Sequence, residues 1–244
     1  MTTIPRHLVD GERTGFYSGV EPRDAATLII IDRAEAEPKV LLGRRHERHV
    51  FLPGKFVFPG GRVDAVDRVM PVAVSLHPNT ERRLLAETRF TNGRDALAIA
   101  LAAIRETFEE TGLVIGTKGA VAGDVPSGPW SKFVQTGFYP DPSVLQFIAR
   151  AITPPGFQRR FDARFFCVDG SKIAHRLDGI VHANAELVEL KWLPISDAQW
   201  LDLPVITGLV LEEILLRQRA GFTRDLPVPF YVTRDGDFTL ETIE

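Results

Sequence analysis

Three glutamates, Glu106, Glu109 and Glu110, stand at i, i+3 and i+4 in the run Arg105-Glu106-Thr107-Phe108-Glu109-Glu110-Thr111-Gly112-Leu113. On a helix, that spacing gathers all three on one face. The cluster also sits near the helix C-terminal end, where the dipole disfavours anions. A hard divalent cation offsets both effects, and carboxylate oxygens suit Mg²⁺ or Mn²⁺ rather than zinc. With such an ion the natural substrate group is a phosphate chain. The ion neutralises it and lowers the pKa of a water that attacks phosphorus. Arg105 is placed to orient a glutamate through a bidentate contact. Taken alone, the run also reads as a solvated acidic helix face.

A second group lies upstream. Gly54-Lys55-Phe56-Val57-Phe58-Pro59-Gly60-Gly61 reads as a short apolar strand closed by proline and two glycines, a sharply constrained turn. The basic loop Arg44-Arg45-His46-Glu47-Arg48-His49 precedes it. Arg44, Arg45, Arg48 and His49 are candidates to receive phosphates, with a solvated loop as the alternative. Arg159, Arg160 and Arg164 compete for that role, although Arg160 and Arg164 also suit pairing with Asp162. Trp130, Phe133, Phe138 and Tyr139 suit base stacking or an acyl groove, and equally core or dimer contacts.

The elements that must position these groups follow from periodicity. Residues 25–31 read as a buried strand and 39–43 as its hairpin partner. Residues 80–89 suit a short helix. Asp95 is the expected cap of a long helix over 96–111, with Ile99, Ala102, Ala103, Thr107 and Phe108 as its apolar stripe. Gly112 is the expected C′ residue, and 113–116 a strand. Residues 145–152 and 161–168 read as paired strands, 187–193 as another, 203–219 as a helix and 228–233 as a further strand.

Composition narrows the class. The chain has 244 residues and a formal net charge of -3, from 29 basic and 32 acidic side chains. That balance gives no support for a stable nucleic-acid partner. The single cysteine, Cys167, lies in an apolar run and reads as a core thiol. The first ten residues lack an apolar segment and no stretch reaches membrane-spanning length. A reducing, cytoplasmic setting without a membrane is the expectation. No zinc-binding, P-loop or dinucleotide-binding pattern occurs.

The run Arg-Glu-x-x-Glu-Glu-x-Gly-Leu, preceded by Phe58-Pro59-Gly60-Gly61, resembles the box of Nudix hydrolases. The resemblance implies an α/β fold, an α/β/α sandwich with a mixed β-sheet. It also implies hydrolysis of a diphosphate linked to a second moiety. It places metal-binding glutamates at Glu106, Glu109 and Glu110, and the opening glycine of the box at Gly61, beside Gly60. Gly61 and Arg105 are 44 positions apart, far more than the spacer of an uninterrupted box, so an insertion is expected at about 63–93. The early glutamate of the box has no secure counterpart: the position eight before Arg105 is Leu97, and Asp64 and Asp95 are nearby carboxylates. Related enzymes often add an acid from beyond the box. Glu186 and Glu189 are the candidates, and Glu186, at a strand mouth, is preferred. Glu106 is the other candidate base.

The interrupted box also resembles a Nudix subgroup that includes peroxisomal coenzyme A diphosphatases, as does the segment 153–166. The C-terminus, Leu240-Glu241-Thr242-Ile243-Glu244, is not a peroxisomal address. The expected substrate is coenzyme A or an acyl-coenzyme A. Alternatives are a nucleotide sugar or dinucleotide, or a non-enzymatic nucleotide sensor. Arg44, Arg45 and Arg160 are the expected phosphate contacts, and a homodimer is the expected assembly. The expected organisation is an N-terminal arm or edge strand over 1–24, the hydrolase domain over 25–219, and a C-terminal extension over 220–244.

Overall fold

The second strand of the chain, Arg23–Asp32, sets the layering through its alternation. Ala26, Leu28 and Ile30 enter one apolar cluster, while Ile29 and Ile31 enter another. Neighbouring Leu41 joins the first cluster, and Val40 and Leu42 the second. A strand whose two faces are both apolar must be covered on both sides. Each such side chain contributes about 1.5–3 kcal/mol when withdrawn from water.

The computed structural model describes residues 2–3, 15, 17–49, 52–88 and 92–244. Most of the expected N-terminal arm falls outside them, as does Arg89; the helix expected over 80–89 instead starts at Pro78 and stops at Leu85, with extended Ala86 as its cap. Strands β1 (Thr2–Thr3), β2 (Arg23–Asp32), β3 (Lys39–Arg45), β4 (Phe56–Val57) and β5 (Gly60–Arg62) come first. Helices α1 (Ala65–Val69), α2 (Pro78–Leu85) and α3 (Gly93–Thr111) follow, then β6 (Leu113–Thr117), α4 (Pro129–Gln135) and β7 (Tyr139–Pro140). Next are β8 (Gln146–Ile152), β9 (Phe161–Asp169), β10 (Ile173–Arg176) and β11 (Leu187–Pro194). The chain ends with α5 (Ile195–Ala198), α6 (Val205–Arg219), β12 (Val228–Arg234) and β13 (Asp237–Ile243).

The main sheet runs β1-β13-β12-β8-β9-β2-β3-β11, with β4 on β3 and β5 on β2. It is mixed: β2 pairs parallel with β9, and β8 with β12, among otherwise antiparallel partners. The smaller sheet is β10-β6-β7. Buried residues of α3, with Trp130 and Phe133 of α4, fill the first cluster. Ile195 and Ala198 of α5 and Val210, Leu211 and Ile214 of α6 fill the second. The result is the expected α/β/α layering. Among the described residues, no helix is long and apolar enough to cross a membrane.

Several local readings change. Arg44 and Arg45 are strand residues, so the basic segment starts inside β3 rather than in a loop. Helix α3 begins earlier than expected, at Gly93, and Asn92 caps it, accepting from the backbone N–H of Arg94 and Asp95 at 3.0 and 3.2 Å. Asp95 pairs instead with Arg68 of α1. The apolar stripe understated the burial of α3, which lies under the sheet with α1, α2 and α4 against it. The C-terminal tail supplies two strands rather than one.

Candidate active site

Helix α3 stops where its glutamates must sit. Gly112 adopts φ 75° and its N–H closes on the Phe108 carbonyl at 2.9 Å. A Cβ there would lie 2.1 Å from the Leu177 carbonyl oxygen, so only glycine ends the helix against that neighbour. The other wall is β5, held beside β2 through Ala25↔Arg62, Ala26↔Gly61 and Thr27↔Gly60. Gly60 donates its N–H to Glu110 Oε2 at 3.0 Å. Gly61 lies flush against Glu106: a Cβ would meet its Cδ at 2.4 Å and its two oxygens at 2.5 and 2.6 Å. The glycine turn and the acidic helix therefore form one site.

Arg105 is the hub of that site and is buried. Its Nε and Nη2 donate to the two oxygens of Asp67 at 2.8 and 2.9 Å. Nη2 also reaches the Arg62 carbonyl at 2.8 Å. Nη1 bonds Glu106 Oε1 at 2.8 Å and Glu109 Oε2 at 2.6 Å. Burial disfavours the guanidinium charge, but Asp67, Glu106 and Glu109 more than offset this and hold Arg105 protonated. Asp67 is the residue the sequence reading missed. Neither carboxylate weighed for the early position contacts Arg105: Asp64 caps α1 and Asp95 pairs with Arg68. The available signal was the count of six residues from Gly61 to Asp67 on the near side of the connection. Counting back from Arg105 crosses residues 68–104 and lands on Leu97.

Glu110 is buried, and its carboxyl is pushed well above the usual range, by burial first and then by the charges of Glu186 and Glu106. The Gly60 N–H and Arg45 act the other way. Burial likewise raises the Glu106 carboxyl, against the pull of Arg105. Arg45 bridges to Glu186 at 3.3 Å, which keeps Glu186 at the cluster. Glu189 faces elsewhere. It accepts from Arg44 Nε at 3.0 Å and pairs with Lys191 at 3.3 Å, and the Arg44 hydrogen bond lowers its carboxyl. Of the expected phosphate contacts, Arg45 therefore stands at the cluster and Arg44 one strand position away. Arg160 spends its donors on the carbonyls of Thr153 (2.9 Å) and Val20 (2.8 Å), pinning backbone. Arg164 is buried against Asp24 and Asp162. Exposed Arg62, adjoining Gly61, has no ion pair among the described residues and was not singled out from sequence. Trp130 and Phe133 are core residues.

A model of the NUDIX domain matches residues 21–209. The chain belongs to the Nudix domain family. A Nudix hydrolase from Alicyclobacillus acidocaldarius is 30% identical, with a TM-score of 0.62, covering 86% of this chain and 98% of that one. MutT from Bacillus halodurans is 13% identical (TM-score 0.45; 90% and 97% covered). The Nudix domain of Shewanella oneidensis NrtR, crystallised with ADP ribose, is 12% identical (TM-score 0.44; 81% and 89% covered). The last two likenesses are too loose to bear on substrate. The protein is a Nudix-type hydrolase, a class that cleaves diphosphates of nucleoside diphosphate derivatives and generally uses divalent metal ions.

The residues of this Nudix site fit such an ion. Among the described residues, the ion pairs to Glu106, Glu109 and Glu186 come from Arg45 and Arg105, and Arg105 also serves Asp67. A buried carboxylate repelled by its neighbours is a cation-deficient donor set. As the side chains stand, Glu109 faces Arg105 and Glu110 faces Gly60. Among the described residues, no three acidic, imidazole or thiol groups already form a metal cage.

Proposed function

We propose that this Nudix hydrolase cleaves the diphosphate of coenzyme A or an acyl-coenzyme A. Glu106, Glu109 and Glu110 would hold Mg²⁺ or Mn²⁺. When bound, that ion supplies charge neutralisation on the diphosphate and a more acidic attacking water. Glu186 would serve as the base for the attacking water, and Arg45, paired with it at 3.3 Å, would meet the phosphate charge. Arg105 keeps Glu106 and Glu109 in place. The Gly60-Gly61 turn brings backbone close to both acids without side-chain bulk. Attack at one phosphorus breaks the bridging P–O bond, so coenzyme A would yield 3′,5′-adenosine bisphosphate and 4′-phosphopantetheine.

The observation that carries the hydrolytic reading is the closure of Glu106 and Glu110 on the Gly60-Gly61 turn, with Glu186 tied to Arg45 and its charge felt by both acids. Support for coenzyme A is the long connection between Gly61 and Arg105, a trait of the subgroup the sequence resembles. Residues 25–219 would then be the hydrolase domain, interrupted at about 63–93, with 220–244 as an extension. The buried thiol of Cys167 agrees with a reducing, cytoplasmic setting.

The test is a Mg²⁺- or Mn²⁺-supplemented panel of coenzyme A, ADP-ribose, NADH, diadenosine polyphosphates and nucleotide sugars, read by product mass. Coenzyme A should be cleaved at the diphosphate. Rapid cleavage of another member without cleavage of coenzyme A rejects the substrate, and nucleotide binding with no turnover of any member rejects the reaction.

A further inference from the structure

The hydrogen bonds that end on the glutamates begin at an indole. Trp130 of α4 is fully buried. Its ring packs edge-on to Phe133 (5.4 Å between centroids, 65°), which packs edge-on to Phe108 of α3 (5.2 Å, 71°). Any aromatic ring serves that packing. Only tryptophan also places an N–H against Asp67, with Nε1 donating to Oδ1 at 3.0 Å.

Asp67 is thereby saturated. Its Oδ1 accepts from Arg105 Nε and Trp130 Nε1, and its Oδ2 from Arg105 Nη2 and the Asp64 backbone N–H at 2.8 Å. Four donors leave a buried carboxylate little freedom to turn. A bidentate carboxylate in turn fixes the plane of its guanidinium. The free edge of that plane, Nη1, is the edge that reaches Glu106 and Glu109.

We propose that Trp130 is a positioning residue for hydrolysis, acting through Asp67 and Arg105 on Glu106 and Glu109. On this view Asp67 of α1 and Trp130 of α4, on opposite sides of α3 in sequence, support the site, while Phe133 only packs. The proposal rests on the diphosphatase reading above. Without the indole N–H, Oδ1 keeps one donor in a dry setting. Asp67 then re-aims, and Nη1 shifts relative to the glutamates. Because the glutamates serve the reaction step rather than recognition of the remote substrate parts, the loss falls on kcat and not on KM.

Two variants separate positioning from packing. Trp130→Phe removes the N–H and keeps a ring. Phe133→Leu loosens the same aromatic stack without touching a polar group. At saturating Mg²⁺, on whichever panel member the wild type cleaves fastest, Trp130→Phe should lower kcat about tenfold or more with KM little changed. Phe133→Leu should lower Tm to a similar extent while retaining kcat. Equal kcat in the two variants overturns the proposal.

A second measurement needs no substrate. Trp192 and Trp200 are 39% and 87% exposed, so a Trp192→Phe/Trp200→Phe protein leaves Trp130 as its sole indole. Mg²⁺ titration should shift the emission of Trp130 saturably, as Glu106 and Glu109 take up the ion's charge and Arg105, still in contact with them, readjusts against Asp67. Mg²⁺ binding seen by calorimetry with unmoved emission overturns the relay. A saturable shift in a protein that cleaves no panel member leaves the relay standing and removes the diphosphatase reading.

Discussion

Replacing Gly61 by alanine separates the stability of this protein from its activity. The added Cβ would lie 2.4 Å from Glu106 Cδ and 2.5 and 2.6 Å from its oxygens. Ordinary contact begins near 3.4 Å, so the carboxylate must retreat by about 1 Å. Gly61 is not among the residues with left-handed backbone, so alanine meets no φ penalty. The colliding atoms end a flexible side chain that is able to swing away, at about 0.5–1.5 kcal/mol if it is forced off its rotamer. A displacement of about 1 Å at a reacting centre costs on the order of 10²-fold in rate, or about 2.7 kcal/mol of barrier. Gly61→Ala should therefore shift Tm little while kcat and Mg²⁺ affinity both fall markedly. Scanning calorimetry, isothermal titration with Mg²⁺ and steady-state kinetics read the three quantities. Gly60→Ala is the contrast. Its Cβ would meet the Ala26 carbonyl oxygen at 2.5 Å and Thr27 Cα at 2.7 Å, backbone atoms of a central strand that do not swing. That variant should lose about 1–3 kcal/mol of stability. Wild-type turnover and Mg²⁺ affinity in Gly61→Ala would refute the role assigned to the bare backbone.

Other perturbations act on single groups. Glu110→Gln keeps an acceptor for Gly60 and removes a buried, repelled charge, so the metal-free variant should melt at or above the wild-type Tm while losing most hydrolysis and the stabilisation by Mg²⁺. A marked fall in metal-free Tm contradicts the charge-deficit account. Glu186→Gln should lower kcat with the fold intact, whereas Glu189→Gln, on a part-exposed pair with Arg44, should leave kcat near wild type. The reverse ranking assigns the base to the wrong glutamate. Burial pushes the Cys167 thiol up to about 11, so at pH 8 only about one thiol in a thousand is thiolate, and the fraction grows as pH approaches that value. Iodoacetamide should label the native protein only as fast as it opens, and Cys167→Ala should retain hydrolysis. Rapid native labelling at pH 8 would contradict the burial.

The legible parts of the fold were local ones. A β-branched apolar run marked β2, a charged turn marked β3 as its hairpin partner, and helical spacing marked α3 and much of α6. Gly112 announced the helix end because the left-handed residue that closes a helix is a one-residue property. The cap was misread because Asn92 and Asp95 both carry capping side chains, and the start of α3 depends on the contact that takes Asp95 to Arg68. The choice between Glu186 and Glu189 was argued from strand position. The structure adds the physical difference: Arg45 holds one at the cluster, and Arg44 and Lys191 hold the other away.

The sequence by itself determined the acidic face, the glycine pair and the reaction class they suit. Each is encoded within one or two turns of chain, where geometry is set by backbone period and by the absence of a Cβ. Tertiary structure alone decided what holds those groups in place. Asp67 reaches Arg105 across 38 positions, and Trp130 reaches Asp67 across 63. No periodicity runs through such separations. Partner choice there is made by packing α1 and α4 against α3, where a buried arginine must find its carboxylate and a buried carboxylate its donors.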